Sequence, residues 1–381
     1  MKYFFLKYQS AIFPVWVINL VNVLYNLLAY SDNLKKNRVL VKDYESAIGI
    51  EDFRYFKKFA YHEVDHIKYK DYLFAYANSQ LKLLKGSVKI LDKVSDPILI
   101  CAAKNDLLKI KHQYNTMKSY GVKSFVYIDN GSTDGTKEYL LKKSDVILYQ
   151  THQTYNSVVR SAWVRKIIQE IGFNRWYLLL DSDEIYAYPN IEVDRFNSFL
   201  KELVQKKHYY VQSVMVDMYP KNSIPISSSS NHTEASNLSN YCWFDKNYKK
   251  TYSRITPVIK GGPRHRLFSD ANYEFSSWLN KVNLIYYKKY NFHYSHILLP
   301  YVYNHKAKTL AATLHYKFLP VDFAKYKSIA DEGNYANNSK EYKRYVEVFK
   351  NLSSINFYHS NSIKFEDSSS LLKINVIEKT V

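Results

Sequence analysis

The sequence predicts an α/β protein: a mixed, mainly parallel sheet with flanking helices, a helical extension before it and further helices after it. Three observations carry that reading. Between Pro97 and Glu184, short apolar runs alternate with stretches of helical period, the pattern of strands joined by crossover helices. Glycines stand where two of those helical stretches end. Acidic clusters at Asp129 and at Asp181/Asp183 directly follow two of the apolar runs, and sheets wound in this way bind ligands beyond the carboxyl ends of their strands.

Taken in order, Pro97–Ala103 (PILICAA) is the first buried strand. Leu107, Ile110, Tyr114 and Met117 recur at helical spacing, and Gly121 closes that helix. Ser124–Ile128 (SFVYI) is the second strand, followed by the polar turn Asp129–Thr136 (DNGSTDGT) and a short helix, Lys137–Lys143. Val146–Tyr149 is the third strand, and Val159, Trp163, Ile167 and Ile171 mark a helix ending near Gly172. Trp176–Leu180 (WYLLL) is the fourth strand and runs straight into Asp181-Ser182-Asp183-Glu184. His208–Met218 reads as a further strand with Asp217 near its end. Residues 221–240 hold seven serines and four asparagines and read as a flexible loop, either a lid or a surface insertion. Residues 320–352 read as two amphipathic helices. The expected boundaries are 1–95 for a helical extension, 96–350 for the central domain and 351–381 for a C-terminal tail.

Composition narrows the classes. The chain has 381 residues and a formal net charge of +19, with 54 Lys+Arg against 35 Asp+Glu. A hydrophobic content of 46% supports a core and excludes wholesale disorder. Cys101 and Cys242, the two cysteines, exclude a disulfide scaffold and a cysteine zinc site, and suit a reducing compartment. The positive charge points to a solvated basic surface or to an anionic partner such as a membrane or an acidic glycan. No Arg-rich block or aromatic-Gly motif for nucleic acid stands out.

No charged residue occurs from Tyr8 to Ser31. Ala11–Ala29 approaches the length of a membrane span. Yet Asn19, Asn22 and Asn26 fall on one helical face, so a helix lying on the membrane, a buried helix and a true span all stay open. No small-residue cleavage site follows, which argues against a cleaved secretory signal.

The chemistry centres on Asp181 and Asp183. In an extended segment, side chains two residues apart share a side, so the two carboxylates are expected to converge. Their repulsion calls for a cation between them, and Mg²⁺ or Mn²⁺ suits such oxygen ligands together with diphosphate oxygens. Asp129 can accept hydrogen bonds from a nucleobase or ribose, while Ser132, Thr133 or Asp134 can cap the following helix. Arg264 and Arg266, in a turn led by two glycines, suit phosphate or carboxylate oxygens.

The ordered set Lys104-Asn105-Asp106, Asp129–Thr136 and Asp181–Glu184 resembles the family 2-type glycosyltransferases of GT-A, Rossmann-like fold. More narrowly, it is similar to a bacterial branch with an Asp-x-Asp-Glu strand end. Asp217–Pro220, Gly261–Phe268, Ser295-His296 and Leu314–Phe318 fit the same branch, and the resemblance spans about residues 96–350. It implies a nucleotide-sugar donor (a UDP-sugar), a divalent metal and inversion at the anomeric carbon. It places Asp129 on the nucleoside, with Lys104, Asn105, Ser132 and Asp134 beside it. Asp181 and Asp183 hold metal and diphosphate, and His315, with His296 in reserve, completes the metal shell. Inversion needs a base for the acceptor hydroxyl; Asp217 is the first candidate and Glu274 the second. No Glu-Asp pair of the kind that supplies that base in many relatives is present.

The expected function is therefore transfer of a sugar to a glycan or lipid-linked acceptor in surface polysaccharide or lipopolysaccharide biosynthesis, in the cytoplasm at the inner face of the membrane. Two alternatives are a non-catalytic basic protein that binds membrane or polyanion, and a nucleotidyltransferase.

Overall fold

The computed structural model describes residues 69–91, 96–226, 236–253, 256–271, 273–275, 277–289, 291–299, 302–333 and 336–378. The expected helix at 11–29 and the middle of the Ser/Asn-rich loop, 227–235, lie outside the described residues.

The centre of the fold is a sheet of nine strands. They are β1 (Lys82–Lys85), β2 (Ile98–Ala103), β3 (Ser124–Asp129), β4 (Val146–Gln150), β5 (Arg175–Asp181), β6 (Glu184–Ala187), β7 (Tyr210–Asp217), β8 (Asn280–Tyr287) and β9 (Lys308–His315). Their spatial order is β1-β4-β3-β2-β5-β8-β7-β9-β6. Strands β4, β3, β2 and β5 run parallel. Strand β8 is antiparallel to both β5 and β7, and β9 is parallel to β7. It follows that β2, β3, β5, β7 and β9 all end at the same edge. Strands β1 and β6 pair antiparallel at the two margins.

Helices α1 (Tyr69–Ala77), α2 (Leu107–Ser119), α3 (Thr136–Leu141), α4 (Ser157–Ile171) and α5 (Phe196–Gln205) precede or interleave the first strands. Later come α6 (Gly262–Phe268), α7 (Asp322–Glu332) and α8 (Ala336–Phe349). Both faces of the sheet are buried, as expected of parallel strands. Leu99, Cys101, Phe125, Tyr127 and Leu178 pack on one face with Ile110, Tyr114 and Met117 of α2. Their neighbours Ile98, Ile100, Val126, Ile128 and Leu179 pack on the other with Trp163, Ile167 and Ile171 of α4. The alternation along each strand is the two-residue period of extended chain. Helix α4 begins at Asn156, whose side-chain oxygen accepts the Val159 amide at 2.9 Å, and stops at Gly172 with φ +118°.

The structure departs from the sequence-based expectation in three places. The extension 1–95 is expected to be helical; residues 1–68 lie outside the described residues, and of the rest α1 is a helix while β1 is an edge strand bonded to β4. Strands β6, β8 and β9 were not foreseen. The C-terminal stretch is also not a free tail. Ser354–Ile355 pairs with Ile224–Pro225, Ile363–Lys364 pairs with Trp243–Phe244, and Phe357, Leu371 and Ile374 are buried in the main core. Among the described residues, no helix is long and apolar enough to cross a membrane.

Candidate functional site

The shared strand edge gathers the residues of interest. Asp129 ends β3, Asp181 ends β5, Asp217 ends β7 and His315 ends β9. Asp217 and His315 are direct partners in the ladder between β7 and β9.

The first part of the edge is a lattice of loop hydrogen bonds. Asn105, in the left-handed region at φ +53°, donates its amide to Ser132 Oγ at 3.0 Å. Its side-chain oxygen accepts the Thr133 amide at 2.7 Å. Asp134 accepts from the Leu107 amide at 2.9 Å and from the Thr136 hydroxyl at 2.6 Å. It therefore caps the starts of α2 and α3 together. Asp129 is fully buried, and its oxygens accept the amides of Gly131 and Ser132 at 3.2–3.3 Å. The residues expected on the nucleotide thus come together, but Asn105, Asp129, Ser132 and Asp134 turn these polar atoms on one another. They build a rigid shelf, with Lys104 exposed on the loop.

Asp181 and Asp183 take different partners. The strand ends at Asp181 and the chain turns through Ser182-Asp183 into β6. The two-residue rule for side chains ends with the strand. Asp181 Oδ1 lies 2.7 Å from Arg160 and Oδ2 lies 2.7 Å from Lys281. Lys281, with no exposed surface, also meets both Glu184 oxygens at 2.7–2.8 Å. Glu184 in turn accepts the Asp181 amide at 2.8 Å. Burial opposes ionisation of Asp181, but Arg160 and Lys281 outweigh it and hold the carboxyl well below the usual range. Two resident cations therefore satisfy Asp181.

Asp183 meets a histidine instead. Its Oδ2 lies 3.3 Å from His315 Nε2, and the opposite ring nitrogen, Nδ1, lies 2.7 Å from Asp217 Oδ1. Burial alone would push the Asp183 carboxyl up; His315, Lys109 and Lys317 instead hold it well down. Burial would lower the His315 pKa, and its two carboxylate neighbours raise it.

The structure corrects the expected roles of several residues. Asp217 is 1% exposed, with its second oxygen 2.8 Å from Arg264 Nε. A base must reach a substrate hydroxyl, whereas Asp217 orients His315 from behind. Arg264 is not available for diphosphate, because it is buried between Asp217 and Glu341, the latter at 3.1 Å. Arg266 is taken by Asp245 at 3.2 Å and by the Phe357 carbonyl at 2.7 Å. Glu274 is exposed and pairs with Lys260 at 3.2 Å and His265 at 3.7 Å; Lys260 holds its carboxyl below the usual range. The expected part of His296 in a metal shell is neither met nor excluded by its contacts: its carbonyl accepts the Val282 amide at 2.9 Å, and burial lowers the pKa of its ring to about 3.

The donor set around Asp183 suits a divalent cation in part. Two ligands at right angles, each about 2.1 Å from one ion, stand about 3 Å apart, close to the 3.3 Å between Asp183 and His315. Asp217 supplies the outer hydrogen bond that fixes such a histidine, leaving Nε2 to face the ion. Asp181 does not fit, because Arg160 and Lys281 already occupy its oxygens. Among the described residues, no group of three His, Cys, Asp or Glu is arranged to hold a metal.

Sequence reasoning missed Arg160, Lys281, Glu341 and Lys109. Arg160 lies three residues before Trp163 on the helix stripe that packs on the sheet, and Lys281 lies in a strand otherwise made of Asn, Val, Leu, Ile and Tyr. A charge inside a buried pattern is the signal that could have found both.

No family model matches this chain, and no curated protein matches it. Among solved structures, S. aureus TarS 1-349 aligns at 16% identity with a TM-score of 0.23, over 38% of this chain. The alignment spans 45% of that chain, less than half its length. A likeness so slight carries no argument about function.

Proposed function

We propose that this chain is a metal-dependent, inverting glycosyltransferase of GT-A type. It moves a sugar from a UDP-sugar to a glycan or lipid-linked acceptor in surface polysaccharide or lipopolysaccharide assembly. The observation that carries the reading is the pairing of Asp183 with His315 Nε2 at the carboxyl edge of the sheet, with Asp217 fixing the ring from behind. Asp183 and His315 would hold Mn²⁺ or Mg²⁺, which would supply positive charge to a diphosphate leaving group.

The chain's own residues divide the remaining work. The exposed part of the shelf, Lys104, Asn105 and Asp134, receives the nucleoside end of the donor, and the buried Asp129 and Ser132 hold it from beneath. Arg160 and Lys281 keep Asp181 ionised at the adjoining strand end. The net charge of +19 favours work beside an anionic membrane on its cytoplasmic face.

The test is release of UDP from a panel of UDP-sugars by the full chain, with Mn²⁺ or with a chelator. The expected result is release that needs the metal and vanishes in Asp183→Asn, while the melting temperature of that variant stays within a few degrees. Full release by Asp183→Asn, or none by the unmodified chain from any donor, overturns the proposal.

A further inference from the structure

The margin of the sheet at β1, away from the carboxyl-edge site, gathers exposed lysines and exposed aliphatic side chains. Strand β1 opens with Lys82 and Leu83, both exposed, Leu83 at 41%. Lys85 Nζ donates to the Leu141 carbonyl at 2.6 Å and to the Lys143 carbonyl, so the turn after α3 lies against the strand. That turn adds Leu141, 38% exposed, and the exposed Lys142. Beyond β1 the chain bends at Gly86, with φ +84°, into a single 3₁₀ turn, Val88–Leu91. Val88 and Leu91 pack on the core, while Lys89 and Ile90 stay outside, Ile90 at 64%.

The charge of this margin is uncompensated. No Asp or Glu occurs in 82–91 or in 141–143. Asp92 and Lys93, which follow, lie outside the described residues and cancel in charge. Asp145, after the turn, is taken by Lys118 at 2.7 Å and by the Tyr114 hydroxyl at 2.6 Å. Lysines blunt an exposed strand edge, and Lys82 and Lys85 serve that end. Edge protection accounts neither for Lys142, which is off the strand, nor for Leu83, Ile90 and Leu141 left in water beside the charges. A nucleic acid would use the lysines and leave those aliphatic groups exposed. An anionic lipid surface uses both: ammonium groups meet the headgroups, and aliphatic groups enter the boundary below them. The preceding chain agrees. Helix α1 leads into β1 through Gln80, whose amide is accepted by Gln153 at 2.9 Å, and the sequence before α1 carries no charge from Tyr8 to Ser31.

We propose that the β1 margin, with the turn at 141–143, is the face on which this protein rests on an anionic lipid surface. This rests on the reading above of work beside a membrane, and it names the face, which net charge alone does not locate.

The test is co-sedimentation of the full chain with vesicles of phosphatidylcholine alone and of equal parts phosphatidylcholine and phosphatidylglycerol. Binding is expected to the mixed vesicles only and to weaken with added salt. Lys82→Gln, Lys89→Gln and Lys142→Gln together are expected to weaken that binding about 100-fold, from about 5-fold per lysine near an anionic surface. Leu83→Ser with Ile90→Ser is expected to weaken it several-fold. Should the triple lysine variant fail to fold, Lys89→Gln and Lys142→Gln singly carry the test at about 5-fold each. Undiminished binding by the lysine variants overturns the inference, since attachment then lies elsewhere in the chain. So does binding of RNA without binding of the mixed vesicles. UDP release from a soluble UDP-sugar is measured beside it and is expected to be the same in the triple variant. Release without vesicle binding sinks this inference alone; vesicle binding without release from any donor sinks the transferase reading alone.

Discussion

Lys281 has no exposed surface and stands within 2.8 Å of one Asp181 oxygen and both Glu184 oxygens. Lys281→Met keeps much of the side-chain volume and removes the charge. Asp181 still has Arg160 at 2.7 Å. Glu184, 1% exposed, keeps only the Asp181 amide as a close donor among the described residues. Breaking one side of a buried ion pair costs about 3–5 kcal/mol, because a desolvated charge is left without its partner. At about 2 °C per kcal/mol for a domain of this size, the melting temperature should fall by about 6–10 °C at pH 7.

The loss has a definite pH dependence. Burial pushes the Glu184 carboxyl above its ordinary value, and Lys281 is the main force opposing that. Without Lys281 the folded-state pKa rises further. Below the ordinary value of 4.5, folded and unfolded chains both carry the proton, and the variant's deficit is smallest. As pH rises above it, the unfolded chain loses its proton first and the deficit grows. Adding Glu184→Gln removes the orphaned charge, and neutral replacement of both partners costs little. The assay is differential scanning calorimetry of the three variants and the unmodified chain from pH 4.5 to 8. If Lys281→Met melts within 2 °C of the unmodified chain at pH 7, or if the double variant recovers nothing, the network is not a stabilising feature and the reasoning fails.

The other predictions concern the second network. Arg264→Met leaves Asp217 and Glu341 short of their shared cation, and by the same reasoning should cost about 3–5 kcal/mol in denaturant unfolding. Arg264→Lys should recover under half of that loss, since an ammonium cannot reproduce the planar fork. An Arg264→Met variant of unchanged midpoint would show the pair to be superfluous. Glu341 is held down to about 2 because Lys317 and Arg264 outweigh burial. A lowered folded-state pKa gives stability that is present above the ordinary value of 4.5 and lost as pH falls towards 2. The gap in unfolding free energy between the unmodified chain and Glu341→Gln should therefore be about 3 kcal/mol at pH 6 and close between pH 4.5 and 2.5. A gap that stays constant over that range would contradict the assignment.

Much of the sheet was legible because its strands are short, apolar and buried on both faces. PILICAA, SFVYI and WYLLL became β2, β3 and β5 within a residue or two. The edge strand β1, KLLK, carries the charged ends that edge strands use, and in a charged neighbourhood such a run reads as helix. Strand β8 begins with Asn280-Lys281-Val282-Asn283, too polar for the core pattern. Its polar groups are buried all the same, because each has a partner. Asn283 Oδ1 accepts the Ser213 hydroxyl at 2.9 Å, and Lys281 meets its two carboxylates. Such a strand is recognisable only once its neighbours are known, since a buried polar group is tolerated by virtue of partners distant in sequence.

The acidic motif shows how a sound local rule misleads at a boundary. Alternation of side chains holds while the chain stays extended. At Asp181 the strand stops, because Glu184 must turn back as β6 and pair with β9 at the far margin of the sheet. The turn sends the two aspartates to different partners: Asp181 to cations from α4 and β8, Asp183 to a histidine on β9. Those partners lie 21, 100 and 132 residues away along the chain. The types of residue at the strand end were readable from sequence; which of them faces a ligand depends on where distant charges fall. Asp181, with two cations of its own, needs no metal for neutrality. On the proposed reading, Asp183, beside a histidine shared by a second carboxylate, is the one that would take the ion. The division of labour between two acids two residues apart is therefore set by α4, β8 and β9 and not by the motif itself.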